Sequence, residues 1–218
     1  KEFLDSLFSD ENLRFHVFAD SPSAYALAPY RRKLSFMHYR MQQNLAIVRA
    51  RLNNKIAEGV QHAYPSEKEF LDDLILISNS LISHGDQNIA DGALKDLIRL
   101  TETFGFYLLK LDLRQESTRH TDAVADIIKQ IKKAPDYKAL SETQRVQLLT
   151  EYLNDPPQFA LDKRQLAELN RETLDVFELM AQMHREISDD AFGHYVISMT
   201  HAASHVMEVM WLGSLAGL

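Results

Sequence analysis

Between about Tyr30 and Ile56, Leu34, Met37, Met41, Leu45, Val48, Leu52 and Ile56 recur at steps of three and four. That spacing becomes one continuous apolar face only on a helix. The other side of this segment is Arg and Gln, and it is expected in solvent. The same period returns along most of the chain. With only seven glycines and six prolines in 218 residues, little interrupts it. Ser66-Glu67-Lys68-Glu69 after Pro65 has the form of a capping box, and Gly85 is a suitable stop, so Glu67 to His84 is predicted as a second helix. Its predicted inner face is Leu71, Leu74, Ile75, Ser78, Leu81 and Ile82. A third helix is expected from about Asp91 to Phe104, ending at Gly105.

The period then changes from 3.6 to 2. Phe106 to Gln115 reads as a strand, with Leu109, Leu111 and Leu113 on one side and Lys110, Asp112 and Arg114 on the other. Helices are predicted over about Thr118 to Lys132, after the cap Ser141-Glu142-Thr143-Gln144, and over about Leu166 to Ile187. The last of these turns Leu169, Leu174, Phe177, Met180, Ala181 and His184 inward. Asn154-Asp155-Pro156-Pro157 is the clearest loop. His194 to Met199 reads as a second short strand; the two strands either leave unpaired edges that associate with other chains or pair with each other in parallel through the intervening helices. A last helix follows from Ala202 to Leu215. No repeat or composition break divides the chain, so residues 1–218 are expected to form a single helical unit.

Three charges on one side of a strand are unusual unless that side faces a polar cavity. A strand followed by a helix, with an arginine at the strand's carboxyl end, is the arrangement of α/β barrels, whose substrate groups project from that rim. Arg114 there presents a planar fork of donors suited to phosphate or carboxylate. A structural ion-pair network around Asp112 is the other reading, and the pattern alone leaves both open.

Three stretches carry a family resemblance. Phe104-Gly105-Phe106-Tyr107-Leu108-Leu109-Lys110-Leu111-Asp112-Leu113-Arg114-Gln115-Glu116-Ser117-Thr118-Arg119-His120-Thr121 is the longest. Tyr195-Val196-Ile197-Ser198-Met199 followed by Ser204 and Val206 is the second, and Ala28-Pro29-Tyr30-Arg31 the third. In order and approximate spacing they resemble segments of the phosphoenolpyruvate carboxylases, and the resemblance spans nearly the whole chain. His205 departs from it, standing where the family has Asp after the serine.

The resemblance implies a mainly α chain that is an internal, helix-rich fragment of an α/β (TIM-like) barrel enzyme, with two short strands near 106–115 and 194–199. It implies a parent that joins phosphoenolpyruvate and bicarbonate into oxaloacetate and phosphate through carboxyphosphate and an enolate, using Mg²⁺ or Mn²⁺. By position it makes Arg114 the catalytic, phosphate-binding residue, with Asp112, Gln115, Arg119 and His120 in support. The family's metal-binding acids lie downstream of the last segment and its catalytic histidine upstream of the first. No metal is therefore expected on this chain, and the fragment alone is expected to be inactive. The expected partners are the two substrates, the remainder of the same polypeptide and, in the parent, further copies of itself. The alternative is a free-standing helical interaction module that has lost the chemistry.

The bulk properties narrow the classes further. A net charge of −7, from 24 basic and 31 acidic residues, argues against nucleic acid or an anionic membrane as the main partner. The absence of cysteine removes disulfides, thiolate metal sites and thiol nucleophiles, and fits a cytoplasmic location. No stretch approaches the ~20 apolar residues of a membrane helix. The chain begins without methionine or a signal-peptide pattern, and both ends read as cuts through a longer chain. His201 and His205, four apart, read as packing or surface rather than a metal pair, His184 as a core histidine, and Asp189-Asp190 as a turn.

Overall fold

In the computed structural model, residues 1–218 are described throughout, and the 3.6-residue period becomes ten α-helices, with one pair of short strands. The expectation of a single unit meets two compact ones, residues 1–109 and 110–218. The division falls where the period changes. Each half gathers its own apolar residues, so no composition break marks the boundary.

The first unit holds α1 (Glu2–Ser9), α2 (Arg14–Val17), α3 (Pro29–Leu52), α4 (Glu67–Ser83), α5 (Gln87–Ile89) and α6 (Lys95–Phe104), with a π-helical turn over Ala90–Leu94. Phe3, Met37, Tyr64, Phe70, Leu74, Ile77, Leu81 and Ala90 make its main core. Leu7, Leu13, Phe18 and Phe36 make a smaller one.

Here the sequence reading needs correction. The stripe expected to be buried on α3 stands largely in solvent, from Leu45 at 46 % exposure to Leu52 at 79 %, and Ile56 lies beyond the helix at 90 %. The buried positions are Arg32, Lys33, Phe36 and Met37, near the start of α3. The basic face is drawn inward because the segment before α3 supplies acids. Arg32 is held by both oxygens of Glu11 and by the carbonyls of Pro22 and Ala24. Lys33 Nζ lies 2.6 Å from Asp10 Oδ2 and 2.6 Å from Asp73 Oδ1. On α4 the buried face is Phe70, Leu74, Ile77 and Leu81, so Ile75 and Ile82 are turned outward. Ser66 makes no side-chain cap bond, and the expected box does not form there.

The second unit runs β1 (Leu111–Glu116), α7 (Ser117–Ile128), α8 (Glu142–Asn154), α9 (Glu168–Glu186), β2 (Phe192–Ser198) and α10 (Ala203–Ala216). The two strands pair in parallel, and α7, α8 and α9 lie between them in the chain. The first strand is shorter than its alternation suggested. Gly105 at φ 49° and Leu108 at φ 70° put left-handed turns where the extended reading began. Leu109 and Leu111, expected to face a core, are about half exposed at 50 % and 49 %. The capping box at Ser141 is present, with Gln144 Oε1 accepting from the Ser141 amide at 2.9 Å. Ala123, Val124, Ile127, Ile128, Tyr137, Leu149, Leu174, Phe177, Trp211 and Leu212 form the core. Leu169, predicted inward, lies 55 % exposed at the start of α9. No helix is long and apolar enough to cross a membrane.

Candidate functional site

Parallel strands put their carboxyl ends on one side, and the helices that follow begin there. α7 starts directly after Glu116, and α10 starts after the short turn Met199–Ala202. Ser117 Oγ donates to the Met199 carbonyl at 2.8 Å and ties the two strand ends together. Met199 holds φ 57°, a left-handed conformation that ends β2 abruptly and turns that carbonyl toward Ser117.

The three charges that alternate along the first strand meet different fates. Lys110 Nζ donates to Asp190 Oδ1 at 3.1 Å. Asp112 Oδ1 accepts from the His194 amide at 2.8 Å, and that bond comes first in holding its carboxyl below the usual carboxylate range. Arg114, the nearest of the three to the carboxyl end, is exposed, and its side chain forms no hydrogen bond or ion pair within the chain. Lys110 is thus in an ion pair and Asp112 is bonded to a main-chain amide, while the guanidinium of Arg114 has no such partner.

The side chains of the other expected site residues each have a partner within the chain. The Gln115 side chain folds back, its Oε1 accepting from the Glu116 amide at 2.9 Å. Arg119 donates to the Leu169 carbonyl at 3.2 Å, anchoring α7 to the start of α9. His120 is fully buried, with Nε2 2.8 Å from the Tyr195 hydroxyl on β2. Its ring lies against Phe177 and Tyr195.

Burial, and then the charges of His205 and Arg119, push the His120 imidazole down from 6.5 to about 4, and its Nδ1 has no partner. The unfolded chain therefore takes up a proton near pH 6.5 that the folded chain refuses until about pH 4. Stability should fall with pH across that window by up to about 3 kcal/mol. Urea unfolding between pH 7 and pH 4 measures this, and His120→Phe should flatten the curve. An unchanged slope in the variant would assign the loss to other groups.

Two acids, one exposed and one buried, escaped the sequence reading. Glu142, in the first turn of α8, accepts from the Ser204 amide at 2.9 Å and the Ser204 hydroxyl at 2.7 Å, capping α10 from outside. Burial opposes its ionisation, but the Ser204 bonds prevail and hold its carboxyl below the usual range. Glu208 is fully buried on α10 and accepts from Thr121 and Tyr137, each at 2.8 Å; burial raises its carboxyl. A lone acid inside the apolar run Val206–Leu212 was the available signal. His205 Nδ1 accepts weakly from the His201 amide at 3.4 Å, so its imidazole reaches back over the helix start.

The sequence pattern of the phosphoenolpyruvate carboxylases matches residues 1–218. The chain belongs to the phosphoenolpyruvate carboxylase family. It is 32 % identical to the phosphoenolpyruvate carboxylase of Prochlorococcus marinus strain MIT 9312, over 99 % of this chain and 23 % of that protein. It is 39 % identical to the one from Glycine max, over 83 % and 18 %. With the Roseiflexus castenholzii enzyme the identity is 32 %, over 87 % and 20 %. The chain thus spans about a fifth of the length of the curated relatives it matches.

The family implies a divalent metal ion, and the residues here do not fit one. No three His, Asp or Glu side chains converge. The acid nearest Arg114 on its strand face, Asp112, is committed to the His194 amide, and Glu116 accepts from the Thr118 hydroxyl.

Proposed function

We propose that this chain supplies a phosphate-binding arginine, Arg114, and the strand ends around it to the phosphoenolpyruvate site of a carboxylase. That enzyme makes oxaloacetate and phosphate from phosphoenolpyruvate and bicarbonate. The observation that carries the reading is an exposed guanidinium, without a side-chain partner in its own chain, near the carboxyl end of a parallel strand whose two acids are bonded elsewhere, Asp112 to the His194 amide and Glu116 to the Thr118 hydroxyl. Its fork of donors suits a phosphoryl group, and its charge stabilises the oxygens as that group moves from phosphoenolpyruvate to bicarbonate. The bidentate fit and the charge are the chain's own contribution to the step.

One exposed arginine–phosphate contact is worth on the order of 0–1 kcal/mol in water. The chain alone therefore binds the substrate weakly and does not turn it over. The working site is completed by the remaining polypeptide, in a cytoplasmic homo-oligomer. A bicarbonate-dependent oxaloacetate assay with Mg²⁺, on this chain and on the product of the complete reading frame, tests this. Activity is expected only in the complete product. Activity in neither would replace the reading with a helical interaction module that has lost the chemistry.

A further inference from the structure

The parallel ladder is irregular at its start. Leu111 pairs with Phe192 and Leu113 with Tyr195, so Gly193 and His194 together stand opposite Asp112. β2 carries one extra residue there. A bulge of this kind takes a main-chain amide out of the ladder. Here that amide, on His194, donates to Asp112 Oδ1 at 2.8 Å, so the carboxylate stands in for the missing rung. The approach is too close for a side chain at the neighbouring position. A β-carbon on residue 193 would lie 2.3 Å from Asp112 Oδ1, so any larger residue there would push that carboxylate aside.

Beyond the bulge the pairing is regular, with Arg114 opposite Val196, Gln115 opposite Ile197 and Glu116 opposite Ser198. A one-residue slip would turn Tyr195 to the other face of the sheet. Its hydroxyl would leave His120 and its ring would leave Phe177, against which it stacks at 5.0 Å. The bulge therefore decides where the end of β2 and the Met199–Ala202 turn stand beside Arg114. Two residues of strand separate Arg114 from Asp112, roughly 7 Å.

We propose that Asp112 and Gly193 form a register clamp that positions Arg114 for the phosphate group, with Asp112 acting through Arg114 rather than on the substrate. The proposal rests on the reading of Arg114 given above. It also explains why an acid sits two residues from a guanidinium meant for an anion: the carboxylate is directed to the His194 amide.

The test uses the complete reading-frame product with Asp112→Ala, Asp112→Asn and Gly193→Ala, and with Asp112→Ala added to Arg114→Ala. Phosphoenolpyruvate KM and kcat are read beside hydrogen exchange at the His194 amide. Asp112→Ala should raise KM about tenfold, change kcat less than about threefold and speed that exchange. Asp112→Asn keeps an acceptor oxygen and should restore both. Gly193→Ala pushes the carboxylate away without removing it and should match Asp112→Ala, which keeps the test decisive if Asp112→Ala does not fold. In the Arg114→Ala background, Asp112→Ala should add nothing to KM. Unchanged exchange in Asp112→Ala would overturn the clamp. Faster exchange with unchanged KM, or a KM effect that persists without Arg114, would overturn its positioning role. Full activity in Arg114→Ala alone would instead sink the functional reading on which the clamp depends.

Discussion

Arg114→Ala in the complete reading-frame product is expected to lower kcat/KM for phosphoenolpyruvate by about 10³-fold, the scale on which cations that stabilise a moving phosphoryl group act. The protein should otherwise be unchanged, because the Arg114 side chain is exposed and bonds to nothing in its own chain. Circular dichroism and thermal midpoint should match the parent. Arg114→Lys keeps the charge but loses the planar fork, and should recover only part of the loss. Steady-state kinetics of the two variants decide the matter. Near-normal turnover in Arg114→Ala would make it an ordinary surface arginine and withdraw it from the site.

The second large effect lies in the first unit. Lys33→Met should destabilise that unit by about 3–5 kcal/mol, the usual result of removing one partner from a buried ionic group. The Lys33 side chain is 1 % exposed, and its Nζ also donates to Ser6 Oγ at 2.9 Å. Without it, Asp10 and Asp73 lose the cation they share. Asp73 would keep the Tyr64 hydroxyl at 2.7 Å and the more distant Arg40 at 3.8 Å. A loss of this size is a large share of the stability of an ordinary domain, about 5–15 kcal/mol. Urea denaturation would show it as a lower midpoint, and adding Asp10→Asn should return part of it. A change under about 1 kcal/mol would mean that Lys33 behaves as a solvated surface lysine.

The same lysine shows where the sequence was legible and where it was not. Helix ends governed by local chemistry were readable: Gly105 closes α6, and Ser141 with Gln144 opens α8. The two strands, each followed by a helix, were also readable from the change of period; their parallel pairing was one of two readings, the other being edges that join other chains. The buried faces were not. Periodicity places a stripe on α3 but cannot say which neighbour covers it, and acids some twenty residues earlier drew Arg32 and Lys33 inward instead. At the site, strand alternation singled out Arg114 before any resemblance was weighed. It could not separate Asp112 from Arg114, because the partner of Asp112 is a main-chain amide that exists only once β2 bulges. Gly193 was a signal passed over, since an isolated glycine at the head of a strand often marks a bulge or a close approach.

Asp112 and His194 are 82 residues apart in the chain, and this separation sets a clock during synthesis. At roughly 5–20 residues per second, β1 leaves the ribosome about 4–16 s before the partner strand exists. For that interval it is a nascent segment with Leu109, Leu111 and Leu113 along one side and nothing to pair with. Lys110, Asp112 and Arg114 interrupt that apolar run at every second residue, and charges so placed discourage strands from joining neighbouring chains. The residues proposed to bind and brace in the finished protein would then already serve the unfinished one, as gatekeepers against aggregation on the polysome.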